Sequence, residues 1–187
     1  MTIEEIISRL KEGNQRFTSD QLTHDNIGQS RKEELSSGQS PYAIILSCAD
    51  SRVVPEIAFD AGLGELFVVR VAGNIANTDS MASIEYAVAH LKSQVIIVLG
   101  HESCGAVTAA MAGGDNGKNL NHLLEQIQPA VDKAKSEDVN TVVKCNAQVV
   151  AERLVSESDI ISQAVGENKV KIIPAYYNLS SGKIDFL

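Results

Sequence analysis

Two short stretches of this 187-residue chain carry residues capable of metal and acid–base chemistry: Cys48-Ala-Asp50-Ser-Arg52 and Gly100-His101-Glu-Ser-Cys104-Gly105. Two thiolates and one imidazole form a ligand set for zinc, borderline-soft donors suited to tetrahedral coordination. Three protein ligands leave a fourth position open, which separates a catalytic site from a closed structural one. The spacing of His101 and Cys104 predicts that they stand one helical turn apart at a helix start, where the helix N-terminus favours the Cys104 thiolate. By residue type alone a second reading stands beside this one. A cysteine at a strand end also packs as a small core residue, and a His-x-x-Cys pair also arises by chance.

The elements that must position these residues follow from apolar patterning. Tyr42 to Cys48, Leu66 to Val71, Gln94 to Gly100 and Val170 to Tyr177 are short apolar runs that read as buried strands. Helical spacing occupies Ser80 to Leu91, Cys104 to Met111, Leu120 to Lys135 and Val139 to Ser156. Short apolar strands alternating with helices predict an α/β fold, with a mainly parallel central sheet of about four strands flanked by helices. Asn178 to Lys183 reads as a turn into an added antiparallel edge strand, Ile184 to Phe186. In such sheets ligands collect beyond the strands' carboxyl ends, where Cys48, His101 and Cys104 can meet. Thr2 and Glu5 form a capping box that opens an amphipathic helix to about Phe17, with the stripe Ile3, Ile6, Ile7 and Leu10. That stripe must pack on its own domain or on a neighbouring subunit. Thr18 to Ser40 is polar and irregular, with a short helix from Ser30 to Leu35. Gly113 to Lys118 is glycine-rich but lacks P-loop spacing and reads as a surface loop.

Composition narrows the class. Apolar residues make up 44% of the chain and charged ones 21%, and the formal net charge is −8. The first two values suit a folded globular protein, and the last argues against a nucleic-acid partner. The length suits one domain over 1–187, an N-terminal helical arm and linker over 1–40 followed by an α/β core over 41–187. Three cysteines cannot pair completely, and in a reducing compartment cysteines serve as ligands, nucleophiles or small core residues. Met1 to Phe17 is charged throughout, unlike a targeting segment, and no apolar run approaches the roughly 20 residues of a membrane span. A cytoplasmic protein without a membrane partner is expected.

Taken with their flanks, the two motifs resemble the paired signature of β-class carbonic anhydrases. The resemblance runs from about Gly38 to Val107, through Glu65 to Arg70, Ala72-Gly-Asn74 and Ile84 to Val88, and resumes at Ala175 to Gly182. It implies a zinc lyase, one Zn2+ per chain on Cys48, His101 and Cys104, that interconverts carbon dioxide and bicarbonate through a zinc-bound hydroxide. It makes Asp50 and Arg52 an aspartate–arginine dyad, and Gln39 a substrate-hydrogen-bonding glutamine. Phe67, Ala72 and Tyr86 fall on positions lining a small apolar pocket, with Ala72 smaller than the valine expected there. The Gly105 N–H faces substrate. The resemblance also implies a homodimer or dimer of dimers, with the site at the dimer interface and the N-terminal helix gripping a neighbouring subunit.

Physical chemistry gives the dyad a purpose. A carboxylate so close to a metal can bind it and block the open position; Arg52, forking onto Asp50, holds it back. Two rivals keep the same ligands: a hydrolase of carbonyl sulfide or carbon disulfide, and a non-enzymatic metal-binding assembly protein, for which the dyad would be idle. The inhibitory bicarbonate pocket of some relatives is built around a tryptophan, and this chain has none. Cys145 reads as a packed thiol, and His24, His90 and His122 as surface residues. Ser51 and Ser103 lack the Gly-x-Ser-x-Gly elbow of a hydrolase. Arg70 is expected to pair with an acid at its strand end.

Overall fold

The structure, a computed structural model, describes residues 1–187. Five strands form one sheet: β1 (Ala43–Ser47), β2 (Leu66–Arg70), β3 (Val95–His101), β4 (Lys171–Tyr177) and β5 (Ile184–Phe186). Their spatial order is β2-β1-β3-β4-β5. The first four run parallel and β5 is an antiparallel edge, as the apolar runs and the tail turn predict. The helices are α1 (Ile3–Thr18), α2 (Gln29–Leu35), α3 (Pro55–Ala58), α4 (Thr78–Ala89), α5 (Gly105–Ala112), α6 (Lys118–Glu125), α7 (Gln128–Ala134), α8 (Val139–Ser156) and α9 (Asp159–Gly166), with a 3-10 turn at Ala72–Asn74.

Every residue of β1 and β3 is buried, which is why both read as continuous apolar runs rather than alternating ones. Ile44, Leu46, Ile96 and Val98 face one layer and pack with Ile84 of α4, Val150 of α8 and Ile161 of α9. Ala43, Ile45, Ile97 and Leu99 face the other, against Ile6 and Leu10 of α1 and Phe59 beyond α3. Truncating one of these large side chains to alanine costs about 2–5 kcal/mol.

The helices differ from the sequence expectation in several places. Leu120 to Lys135 is two helices, because Pro129 has no N–H to continue α6 and sits instead in the first turn of α7. Helix α4 starts at Thr78 rather than Ser80, capped by Asn77, whose side chain accepts the Ser80 N–H at 3.0 Å. Helix α9, capped by Ser158, lies beyond the helical pattern that ends at Ser156, where the sequence expectation places no element.

The N-terminal helix spends its stripe on its own core. The capping box forms as expected, and Ile6, Leu10, Gly13 and Asn14 are buried along one face. Gly13 permits this closeness: a Cβ there would lie 1.9 Å from the Phe59 carbonyl oxygen. Arg9 pairs with Glu65 and Arg16 with Asp60, pinning the outer rim of the helix. Within one chain this face packs on its own domain, one of the two placements open to the stripe. At its far end Asn14 donates to the Ala58 and Gly182 carbonyls at 3.0 and 2.9 Å and accepts the Ile184 N–H at 2.8 Å. One amide thus ties α1, α3 and β5. Asn14→Ala leaves those buried backbone groups unpaired and should cost about 2–4 kcal/mol in urea unfolding; a loss below about 0.5 kcal/mol would show that the tie is not needed.

Candidate metal centre

Strand order locates the crevice. β1 has β2 on one side and β3 on the other, so the chain leaves their carboxyl ends in opposite directions and opens a cleft there. Both motifs leave the sheet at this cleft. Cys48 follows β1 directly, and a turn comes next, with the Val53 N–H on the Asp50 carbonyl at 3.0 Å. His101 is the last residue of β3.

Cys104 arrives by a route that sequence spacing does not describe. It is the N-cap of α5, and Ser103 before it takes a left-handed conformation, φ +53°. The Asn140 side chain accepts the Ser103 N–H at 2.9 Å and steadies the reversal. His101 and Cys104 are therefore joined by a strand-to-helix reversal, not by one helical turn. Cys48 and burial push the Cys104 thiol up and outweigh the favourable N–H groups of Val107 and Ala106 at the start of α5.

One ligand atom from each of Cys48, His101 and Cys104 lies within 4.8 Å of the others, and all three residues are buried. The His101 Nδ1 sits 2.9 Å from the Glu102 carbonyl. A carbonyl only accepts, so Nδ1 carries the proton and Nε2 presents a lone pair. That Nε2 is buried with no hydrogen-bond partner. An unpaired buried nitrogen is costly, and beside two sulfurs it has the chemistry of a metal ligand. The thiols behave as one unit: Cys104 draws Cys48 down to about 4, while Cys48 and burial push Cys104 up. A cation held between the two sulfurs would favour both thiolates.

Beside this group lies the dyad. Arg52 Nε donates to Asp50 Oδ1 at 2.9 Å and Nη2 to Oδ2 at 2.7 Å, a fork on both carboxylate oxygens, while the Arg52 N–H also reaches Oδ1 at 2.9 Å. The Arg52 side chain holds the Asp50 carboxyl well below the usual carboxylate range. Asp50 Oδ2 lies 3.8 Å from His101 Nε2, next to the cluster yet restrained from it. Arg70 has no acid partner, contrary to the expectation; its Nε and Nη2 donate to the Cys48 and Asp50 carbonyls at 3.1 and 2.7 Å and so clamp the backbone of the same turn.

The remaining candidates are less gathered within one chain. Phe67, on the edge strand, and Tyr86, half exposed, have ring centroids 6.5 Å apart. Ala72 opens the 3-10 turn. A Cβ at Gly105 would meet only open space, so its backbone is accessible. Gln39 is exposed and lines a separate surface groove with Lys32, Leu35 and Leu63. The largest groove, about 1260 Å³ between the start of α1 and the α8 side of β4, contains none of these residues, so here chemistry identifies the site and cavity size does not. Cys145 is half-buried outside the cluster, and His24, His90 and His122 are exposed, in keeping with their readings. Among the residues near the cluster that carry no role from the sequence are Gly73 and Asn146. The available signal for the second was a lone asparagine in the apolar run Val142 to Val150.

Comparison with known proteins agrees with this geometry. The family model described as carbonic anhydrase matches residues 43–184. Carbonic anhydrase 2 of Mycobacterium tuberculosis is 38% identical over 181 residues, covering 93% of this chain and 87% of that protein. The carbonic anhydrase of Mycolicibacterium smegmatis is 37% identical over 183 residues, covering 94% of this chain and 89% of that protein. Among solved structures, the Coccomyxa β-carbonic anhydrase in complex with acetazolamide superposes with a TM-score of 0.78 at 25% identity, covering 94% of this chain and 83% of that one. One of two tetrameric β-carbonic anhydrases from Sordaria macrospora does so with a TM-score of 0.76 at 26% identity, covering 83% and 85%. With the matched model, these relatives and the buried Cys–His–Cys group together, the chain belongs to the β-carbonic anhydrase family, enzymes whose general reaction is the hydration of carbon dioxide.

Proposed function

We propose that Cys48, His101 and Cys104 hold one zinc ion, and that the chain uses it to interconvert carbon dioxide and bicarbonate. The observation that carries this reading is the buried, unpartnered His101 Nε2 beside two thiols, with a restrained carboxylate next to it. Zinc in such a site supplies a Lewis acid with one open position that makes bound water a nucleophile near neutral pH.

The protein's own groups do the rest. Asp50, kept ionised by Arg52, accepts a hydrogen bond from the attacking oxygen and turns its lone pair toward the carbon. Arg52 also keeps Asp50 from taking the open metal position, so one ion pair both orients and restrains. Phe67, Ala72 and Tyr86 form the apolar wall that suits uncharged carbon dioxide, and Gln39 with the Gly105 N–H hydrogen-bonds the charged product. Phe67 on an edge strand, Tyr86 half exposed and Gln39 away from the cluster suit a site completed by a second copy, in a homodimer or dimer of dimers. Residues 1–187 act as one domain. Thiols that must stay reduced to bind metal suit the cytoplasm, and no helix is long and apolar enough to cross a membrane.

Stopped-flow hydration measured on the same sample as metal analysis tests the reading. About one zinc per chain is expected, with carbon dioxide turned over far faster than carbonyl sulfide. Cys104→Ala should lose most of both zinc and activity; full zinc occupancy there, with Cys145 still reduced, would remove Cys104 from the ligand set. A zinc-replete protein without hydration activity would favour the non-enzymatic reading. Arg52→Lys probes the dyad, since lysine keeps the charge but not the planar fork. Zinc should remain while kcat falls at least about tenfold; a wild-type rate would show that charge alone suffices.

A further inference from the structure

Asn146 is an anomaly in the core. It sits in the middle of α8, 1% exposed, among Val142, Val143, Ala147 and Val150, where an apolar residue would pack without a desolvation penalty. Its Nδ2 donates to the Gly73 carbonyl at 2.9 Å, while its Oδ1 has no partner. The neighbouring Asn74 is as buried, and its Nδ2 is likewise unpaired. A core that keeps two unsatisfied amides beside one 3-10 turn is spending stability on that turn.

The turn is itself unusual. Gly73 and Asn74 both have positive φ, +71° and +44°. Gly73 has no room for a side chain, since a Cβ would lie 2.6 Å from Ile127 Cδ1. Successive left-handed residues persist only where their surroundings fix them. The peptide between Gly73 and Asn74 is held at both ends: its carbonyl by Asn146, and its N–H by the Val71 carbonyl at 2.9 Å. With that peptide fixed, the Gly73 N–H points at Cys48 Sγ, 3.3 Å away.

We propose that Asn146 is a positioning residue for the metal centre: by fixing the Gly73 carbonyl it aims the Gly73 N–H at the Cys48 sulfur. The inference rests on the zinc site proposed above and extends it. A hydrogen bond to a ligating sulfur draws electron density from it, so the sulfur donates less to the ion and its orientation is fixed. In a site with two thiolates, the most electron-rich part of the ligand set, such a bond preserves the Lewis acidity that the reaction needs. The backbone donor to Cys48 thus depends on a side chain of α8, distant from it in sequence.

The test replaces the native metal with cobalt(II) in the wild type and in Asn146→Leu, which keeps the branched shape of the side chain without a donor. The variant should stay folded, with the unpaired Gly73 carbonyl costing some stability, keep a full equivalent of metal, and move the sulfur-to-cobalt charge-transfer band to lower energy, because the freed sulfur becomes a better donor. With zinc bound, kcat should fall about 10–100-fold. An unchanged band in Asn146→Leu, with the band present in the wild type, would overturn this proposal alone. No sulfur-to-cobalt band in the wild type would overturn the Cys–His–Cys site and this proposal with it. Should Asn146→Leu not fold, Asn146→Ser takes its place, its hydroxyl too short to reach the Gly73 carbonyl. The same band shift is expected there, and an unchanged band overturns the proposal equally.

Discussion

Parallel pairing of β1 with β3 brings two strand carboxyl ends side by side, and the chemistry of this protein depends on that register. Ser47 stands opposite Leu99, so Cys48 leaves the sheet as His101 approaches the end of β3. A slip of one residue would turn Cys48 or His101 to the opposite face of the sheet and separate the donors. Register in turn is held by complete burial on both faces of β1 and β3. Each alternate side chain has a layer of its own to fill, and no neighbouring register fills both.

Around this junction, charge and backbone are restrained by separate groups. Arg52 grips the Asp50 carboxylate, and Arg70 grips the carbonyls of Cys48 and Asp50 from the neighbouring strand. One arginine sets where the negative charge lies, and the other sets the path of the turn that bears it. The planar guanidinium suits both tasks, since two donors in a fixed plane fix an orientation as well as a distance. His101 is oriented by the carbonyl of its own neighbour, and Glu102 is held in turn by the Leu179 and Ser180 N–H groups. The tail of the chain therefore supports the imidazole, giving the Ala175 to Gly182 segment a mechanical reason to accompany the two motifs.

The same economy appears at the N-terminal arm. Its apolar stripe closes the second layer, the buried Asn14 fastens it to α3, and Arg9 and Arg16 fasten its rim to Glu65 and Asp60. Ile57, Leu63 and Tyr86 are among the large apolar side chains that remain exposed with the arm docked.

The donor types, the two-residue spacing of the dyad, the four parallel strands with their edge strand, and the family were all legible in the sequence. These features are local: a capping box, an apolar run or an Asp-x-Arg fork is decided by residues a few positions apart. The reversal at Ser103, the two carbonyls that take Arg70, the docking of α1 and the reach of Asn146 to Gly73 were decided only by tertiary structure. Each joins segments distant in sequence, and each runs at least in part through a backbone group, which leaves no mark on residue identity. A carbonyl held by Arg70 or Asn146 is chemically the same carbonyl as any other in the chain; only packing on the sheet selects it.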